Sequence, residues 1–261
     1  MQTYSNATLI QKTINRIIIF SALIIVIQGW ANKIYATENI VEDYLTSGDN
    51  TSDIVRLVVV LTLLAFIPAI IMTVTTFPRI IIVLSFTRNA MGTQQMPPNQ
   101  VMIGIALILT FFIMAPVFGD VVSQAYDPYM AGDISTEEAY DAAVAPLKEF
   151  MFAQARNEPE SIYFFMELYG MEDQPDNLED MPLVVVMMSF ITSELKKAFI
   201  MGFILYVPFI VVDMIVASVL MAMGMMMIPP VTISLPFKIL LFVLVDGWTL
   251  LFETLVRSFG I

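Results

Sequence analysis

Four long apolar stretches organise this chain, and each is broken in ways that a plain membrane span is not. The first runs from Ile54 to Phe86, interrupted by Pro68, Pro78 and Arg79. The second, Val101 to Val122, holds Pro116. The third, Leu183 to Met227, contains the polar patch Glu194-Leu195-Lys196-Lys197, then Pro208 and Asp213. The fourth, Phe237 to Val256, carries Lys238 and Asp246. A proline inside a helix removes a backbone hydrogen bond and bends the axis. The pattern therefore predicts kinked helices or pairs of half-helices. Between the second and third stretches, apolar residues recur at helical spacing around Ala143, Leu147, Phe150 and Met151, and again at Ile162, Phe165, Met166 and Tyr169. Residues 123–182 are thus expected to form a small helical, water-facing insertion closed by a linker from Glu172 to Met181. The fold class is all-α.

The first 36 residues have the layout of a secretory signal. Lys12 and Arg16 precede an apolar run from Ile17 to Ile27, and Gly29, Ala31 and Ala36 offer small residues for cleavage. That run is shorter than the roughly 20 residues needed to cross a bilayer. The expectation is cleavage after Ala36; the alternative is a retained anchor extended by Leu9, Ile10 and Trp30. The remaining divisions are 37–122, a first kinked helical hairpin; 123–182, the acidic insertion; and 183–261, a second kinked hairpin with a methionine-rich loop.

Composition sharpens the membrane reading. Hydrophobic residues make up 58% of the 261 residues and charged ones 14%, against about 45–50% and about 25% in ordinary soluble domains. So much apolar surface needs lipid or other protein around it. There is no cysteine and no histidine, which removes thiol nucleophiles, disulfides, cysteine or histidine metal sites and an imidazole base. No cofactor motif or catalytic dyad stands out. The net charge of −12, with no basic stripe, speaks against nucleic acid.

Charge placement predicts orientation. From Asp120 to Pro182 there are fifteen acidic residues against Lys148 and Arg156. Arg79 and Arg88 lie near the turn joining the first two stretches, which puts the Arg88–Gln100 turn on the cytoplasmic side and the acidic insertion outside. Charges within the apolar runs, such as Asp213 and Lys238, cost about 2.5–3.5 kcal/mol each against lipid on insertion scales. Many of these surfaces are therefore expected to face other subunits.

Three motifs have chemical character. In Arg88–Gln100, Gly92 suits positive φ, Pro97-Pro98 blocks helix, and Asn99 is expected to cap the next helix. It reads as a hairpin loop or as a partner-docking turn. Asp213 and Lys238 form the second. A helix from Asp213 to Met227 would rise about 21 Å, and an extended run through the prolines up to Pro236 would return a similar distance. The two charges then reach one height, either as a structural pair or as an ion relay. The third is Gly224-Met225-Met226-Met227-Ile228-Pro229-Pro230. On a helix three consecutive methionines would fan apart, whereas on a loop they can project together as an adaptable apolar surface. That surface serves either as membrane core or as a soft seal around a pore. Glu194, Lys196 and Lys197 read as a polar interruption at an interface or membrane boundary.

Taken with Pro78-Arg79-Ile-Ile-Ile-Val83, Leu109-Thr-Phe-Phe-Ile-Met-Ala-Pro116, Thr192-Ser-Glu-Leu-Lys196 and Leu235-Pro-Phe-Lys238, these motifs resemble the FliP family, the P subunits of flagellar type III export gates. The resemblance covers most of residues 54–256. It implies five copies assembling with Q and R subunits, and with other basal-body proteins, into a closed channel mouth. Unfolded flagellar proteins would be its cargo and an inner-membrane flagellar base its location. It also implies that Met225, Met226 and Met227 form a gasket and that Asp213 and Lys238 are a functionally important pair. The corresponding subunit of virulence-type injectisomes shares the core motifs. The signal-like start and the acidic insertion favour the flagellar branch. A small-solute transporter using Asp213, or a carboxylate membrane enzyme, are the competing classes.

Overall fold

The computed structural model describes residues 51–93, 95–171, 175, 178–225 and 227–260. The signal-like segment and Met226 lie outside the described residues. Among those described there is no strand. The helices are α1 (Thr51–Val74), α2 (Phe77–Met91), α3 (Asn99–Val121), a π turn (Val122–Tyr126), α4 (Asp127–Ala131), α5 (Thr136–Ala155), α6 (Pro159–Tyr169), α7 (Leu183–Ala222), α8 (Pro230–Leu244) and α9 (Gly247–Arg257). The part of α1 up to Phe66 belongs to a different compact unit from Ile67–Ile261. The packing that positions the candidate sites lies within the second unit.

The breaks expected from proline are real, although not at every proline. The chain bends by 71° between Leu64–Val74 and Phe77–Met91. At that break the Thr75 hydroxyl accepts from the Phe77 N–H at 3.3 Å, and Pro78 falls in the first turn of α2, where its missing N–H costs nothing. Pro116, Pro146, Pro208 and Pro236 instead sit inside continuous helices. Each removes one bond to the carbonyl four residues back, a loss that packing or neighbouring turns can absorb.

The second large bend, 63°, separates α8 from α9 and has no proline. Asp246 adopts the left-handed region there, at φ 50° and ψ 52°, an uncommon state for a non-glycine residue. Gly247 follows because a Cβ at that point would lie 2.4 Å from the Phe242 ring.

Among the described residues, two helical runs are long and apolar enough to cross a membrane: Asn99–Ala131, carried through the π turn, and Leu183–Ala222. The number rises to four if each bent pair counts as one span. At 1.5 Å per residue the 40-residue α7 is about 60 Å long, twice a hydrocarbon core of about 30 Å.

Apolar stripes at helical spacing build three cores. The first gathers Ile80 and Val83 from α2, Met102 and Ala106 from α3, Ala198 from α7, and Leu251 and Leu255 from α9. The second joins Met151 of α5 and Met166 of α6 to Val186 and Phe190 of α7. The acidic insertion therefore shares a core with α7. Its longest helix starts at a capping box. The Ser135 N–H donates to Glu138 Oε2 at 2.7 Å, and the Glu138 N–H donates to Ser135 Oγ at 3.3 Å. The third core sets Ala90 and Met91 of α2 against Phe209 and Phe242, placing the α8–α9 elbow beside the end of α2. Helices α2 and α7 approach so closely that a Cβ on Gly202 would lie 2.5 Å from the Phe86 ring.

Candidate functional site

The methionine-rich loop begins where α7 stops. Gly224, at φ 75°, donates its N–H to the Met221 carbonyl at 3.0 Å, and the Met225 N–H reaches back to Leu220 at 2.9 Å. This is a Schellman ending, which needs a left-handed residue and so favours glycine. Pro229 then caps α8 and Pro230 is its first residue, a position where a missing N–H is already unpaired. Two local signals thus close one helix and open the next, leaving Met225, Met227 and Ile228 outside both helices. Met225 is 39% exposed and Met227 94% exposed, so the packing within this chain leaves Met227 almost untouched.

The pair Asp213–Lys238 forms, but by a different path from the one the sequence suggested. Helix α7 ends at Ala222, not Met227, and Pro230–Pro236 is helical, not extended. Asp213 lies nine residues below the end of α7 and Lys238 eight residues into α8. Two antiparallel arms of nearly equal rise bring them level. Lys238 Nζ donates to Asp213 Oδ2 at 2.5 Å, while the Ser234 hydroxyl donates to Oδ1. Ser234 and Lys238 are buried; the Asp213 side chain is 28% exposed. Ser234 was not foreseen, although its i,i+4 spacing from Lys238 was there to be read.

The reading of Arg79 as a turn charge is corrected. It lies in the first turn of α2, at the opposite end of that helix from the turn, and is 1% exposed. Its Nε donates to Glu194 Oε2 at 2.7 Å, its Nη2 pairs with Glu194 Oε1 and also reaches Gln154 Oε1 at 3.2 Å. Glu194 is wholly buried. It is one half of an internal ion pair, not part of a polar interruption at a boundary. The signal was present: one charge in each of two apolar runs is the pattern that also suggested Asp213 and Lys238. Lys196 is exposed and pairs with Glu158 at the start of α6. The Lys197 ammonium donates to the Gln154 carbonyl.

In the turn before α3, Gly92 takes φ 74° as expected. Asn99 does not cap; Pro98 holds the capping position. The Asn99 Oδ1 instead accepts from Arg88 Nη1 at 2.6 Å, and a weaker bond runs from Arg88 to the Pro97 carbonyl at 3.5 Å. The asparagine closes the turn through a side chain eleven residues upstream, not through its own backbone.

Comparison with known proteins covers all of these features. A family model described as the FliP family matches residues 60–255. The chain is 52% identical over 211 residues to the flagellar biosynthetic protein FliP of Bacillus subtilis (strain 168), covering 81% of this chain and 94% of that protein. It is 49% identical over 205 residues to the FliP of Pectobacterium carotovorum subsp. carotovorum, 78% of each chain. Against the FliP of Aquifex aeolicus (strain VF5), identity is 45% over 211 residues, 80% of this chain and 87% of the other. With its arginine and glutamate cage, its paired charges and its methionine loop all inside the matched span, the chain belongs to the FliP family.

Proposed function

We propose that this chain is a core subunit of a flagellar type III protein-export gate. Several copies would bring their Gly224–Pro229 loops together as a deformable methionine constriction. The observation that carries the reading is the exposure of Met225 and Met227 on a loop closed at both ends by its own helix signals. A side chain with as little to pack against in its own chain as Met227 is free to meet equivalent side chains from neighbours. Methionine suits that role, because an unbranched thioether conforms to surfaces of varying shape and yields to a passing polypeptide.

The partners of this reading are further copies of the chain, about five, with Q and R export-gate subunits. The cargo is unfolded flagellar protein. The extensive exposed apolar surface of α7, including Phe203, Ile204 and Met214, supports burial against other subunits as well as lipid. Arg88, at the end of α2, supports a cytoplasmic position for the turn at 92–98. The acidic insertion would then face the periplasm. The chemistry is mechanical: the residues named hold, seal and register, and none is assigned a bond-breaking step.

Purifying the complex through this subunit and measuring its mass and symmetry tests the proposal. A multi-copy ring with further subunits is the expected result. A monomer or simple dimer that moves small solutes would overturn it.

A further inference from the structure

The Arg79 cage has a fourth wall that the ion pair does not supply. Its Nη1 donates to both the carbonyl and the hydroxyl of Ser258, each at 2.9 Å. The guanidinium carbon stands 3.7 Å from the centre of the Phe259 ring, a cation–π distance. Gln154 Nε2 donates to the Phe259 carbonyl at 3.3 Å. Glu194 balances the charge, but only the segment after α9 satisfies the Nη1 edge and covers the flat face. A buried guanidinium left short of acceptors is costly, so Arg79 and this segment need each other.

We propose that Ser258 and Phe259 form a clasp that closes the Arg79 cage, and that this clasp, rather than the Asp213–Lys238 pair, keeps the α8–α9 arm seated. The arm is fastened by polar contacts at two places, with Phe242 packed in the third core between them. Helix α8 is held to α7 through Asp213, whose partial exposure screens the pair. The end of α9 is held by a cage from which water is excluded, Arg79 being 1% and Glu194 0% exposed. Between them lies the 63° elbow at Asp246. Helix α9 contributes Leu251 and Leu255 to the first core, whereas α8 contributes none of its buried residues. Loss of the Asp213 fastening thus loosens the loop end of α8, while Phe242 holds its elbow end and α9 stays in place. Loss of the clasp loosens α9 itself.

The chain has no cysteine, so one introduced thiol reports without background. Leu255 is fully buried in α9, and Leu255→Cys in the full chain in membranes is labelled by a membrane-permeant maleimide. Adding Ser258→Ala with Phe259→Ala is expected to raise the labelling rate at least about tenfold, the scale of one or two lost charge-assisted contacts. Adding Asp213→Ala with Lys238→Ala is expected to leave it within about twofold. Unchanged labelling in the clasp variant, or an equal rise in both, overturns the proposal. If the clasp variant does not accumulate, Arg79→Met with Glu194→Met is added to it. Removing the charge that requires the clasp should restore accumulation, and failure of that rescue also overturns the proposal. Neither readout depends on export.

Discussion

Ser234 and Lys238 stand one turn apart on α8 and bind opposite oxygens of the same Asp213 carboxylate. One acid on α7 is thereby gripped by two donors on α8, which sets the register of the helices flanking the methionine loop.

Asp213→Ala should therefore be worse than Asp213→Ala combined with Lys238→Ala. Removing one member of a buried pair costs about 3–5 kcal/mol, and the partial exposure of Asp213 places this site at or below the lower end. Ser234→Ala should cost about 1 kcal/mol, a single hydrogen bond. A double-mutant cycle on complex yield measures the coupling. Strictly additive losses would show that the charges do not cooperate.

Replacing Met225, Met226 and Met227 together by Ala separates a seal from a core. A buried methionine lost to Ala costs about 2–5 kcal/mol, yet Met227 is 94% exposed and has little packing to lose. Assembled complex should form in normal amounts and membranes containing it should leak ions. Conductance is the readout, and a tight, normally assembled variant would defeat the gasket.

Gly202→Ala should loosen the contact between α2 and α7, because the new methyl would lie 2.5 Å from the Phe86 ring. Overpacking of this kind costs about 1–3 kcal/mol. Phe86→Ala in the same chain should relieve part of it, despite losing the edge-on contact with Phe199. Thermal unfolding in detergent gives the comparison, and a Gly202→Ala chain as stable as its parent would contradict the close approach.

Acid should fray the start of α5. The Ser135 N–H, and then its hydroxyl, hold the Glu138 carboxyl below its usual value of 4.5. A lowered folded-state value stabilises the cap above pH 4.5, and that contribution disappears as pH falls through the lowered value. Hydrogen exchange at the Thr136–Glu138 amides should accelerate in that window. Glu138→Gln should abolish the acid dependence there.

Much of this architecture was legible because lipid-like stretches tolerate so few charges that each one asks for a partner. That logic matched Asp213 to Lys238 even though the path between them was misjudged. Pro236 looked like a helix breaker, but a helix interior absorbs one missing bond when the preceding turn is already set by Pro229 and Pro230. The same logic could have matched Arg79 to Glu194. Arg79 and Arg88 are neighbours of the same turn in sequence, but sequence distance does not tell which end of a helix a charge occupies. The elbow at Asp246 had only an Asp-Gly pair to announce it. The close approach of Gly247 to the Phe242 ring is a contact that needs the fold to exist first. Met225 and Met227 were legible as loop residues because Gly224 and the two prolines are local signals. What neighbours them in the assembled gate is a property of other chains.

The length of α7 has a consequence for how this protein is made. A rod of about 60 Å with Phe203, Ile204, Val211 and Met214 turned outward exceeds a hydrocarbon core of about 30 Å by roughly half its length. In the assembly proposed above, a newly inserted copy holds apolar side chains in the headgroup layer or in water until another subunit covers them. The interval between insertion and assembly is then the hazardous stage of its life. Supplying this chain faster than its companions should fill the membrane with aggregates before it fills it with gates.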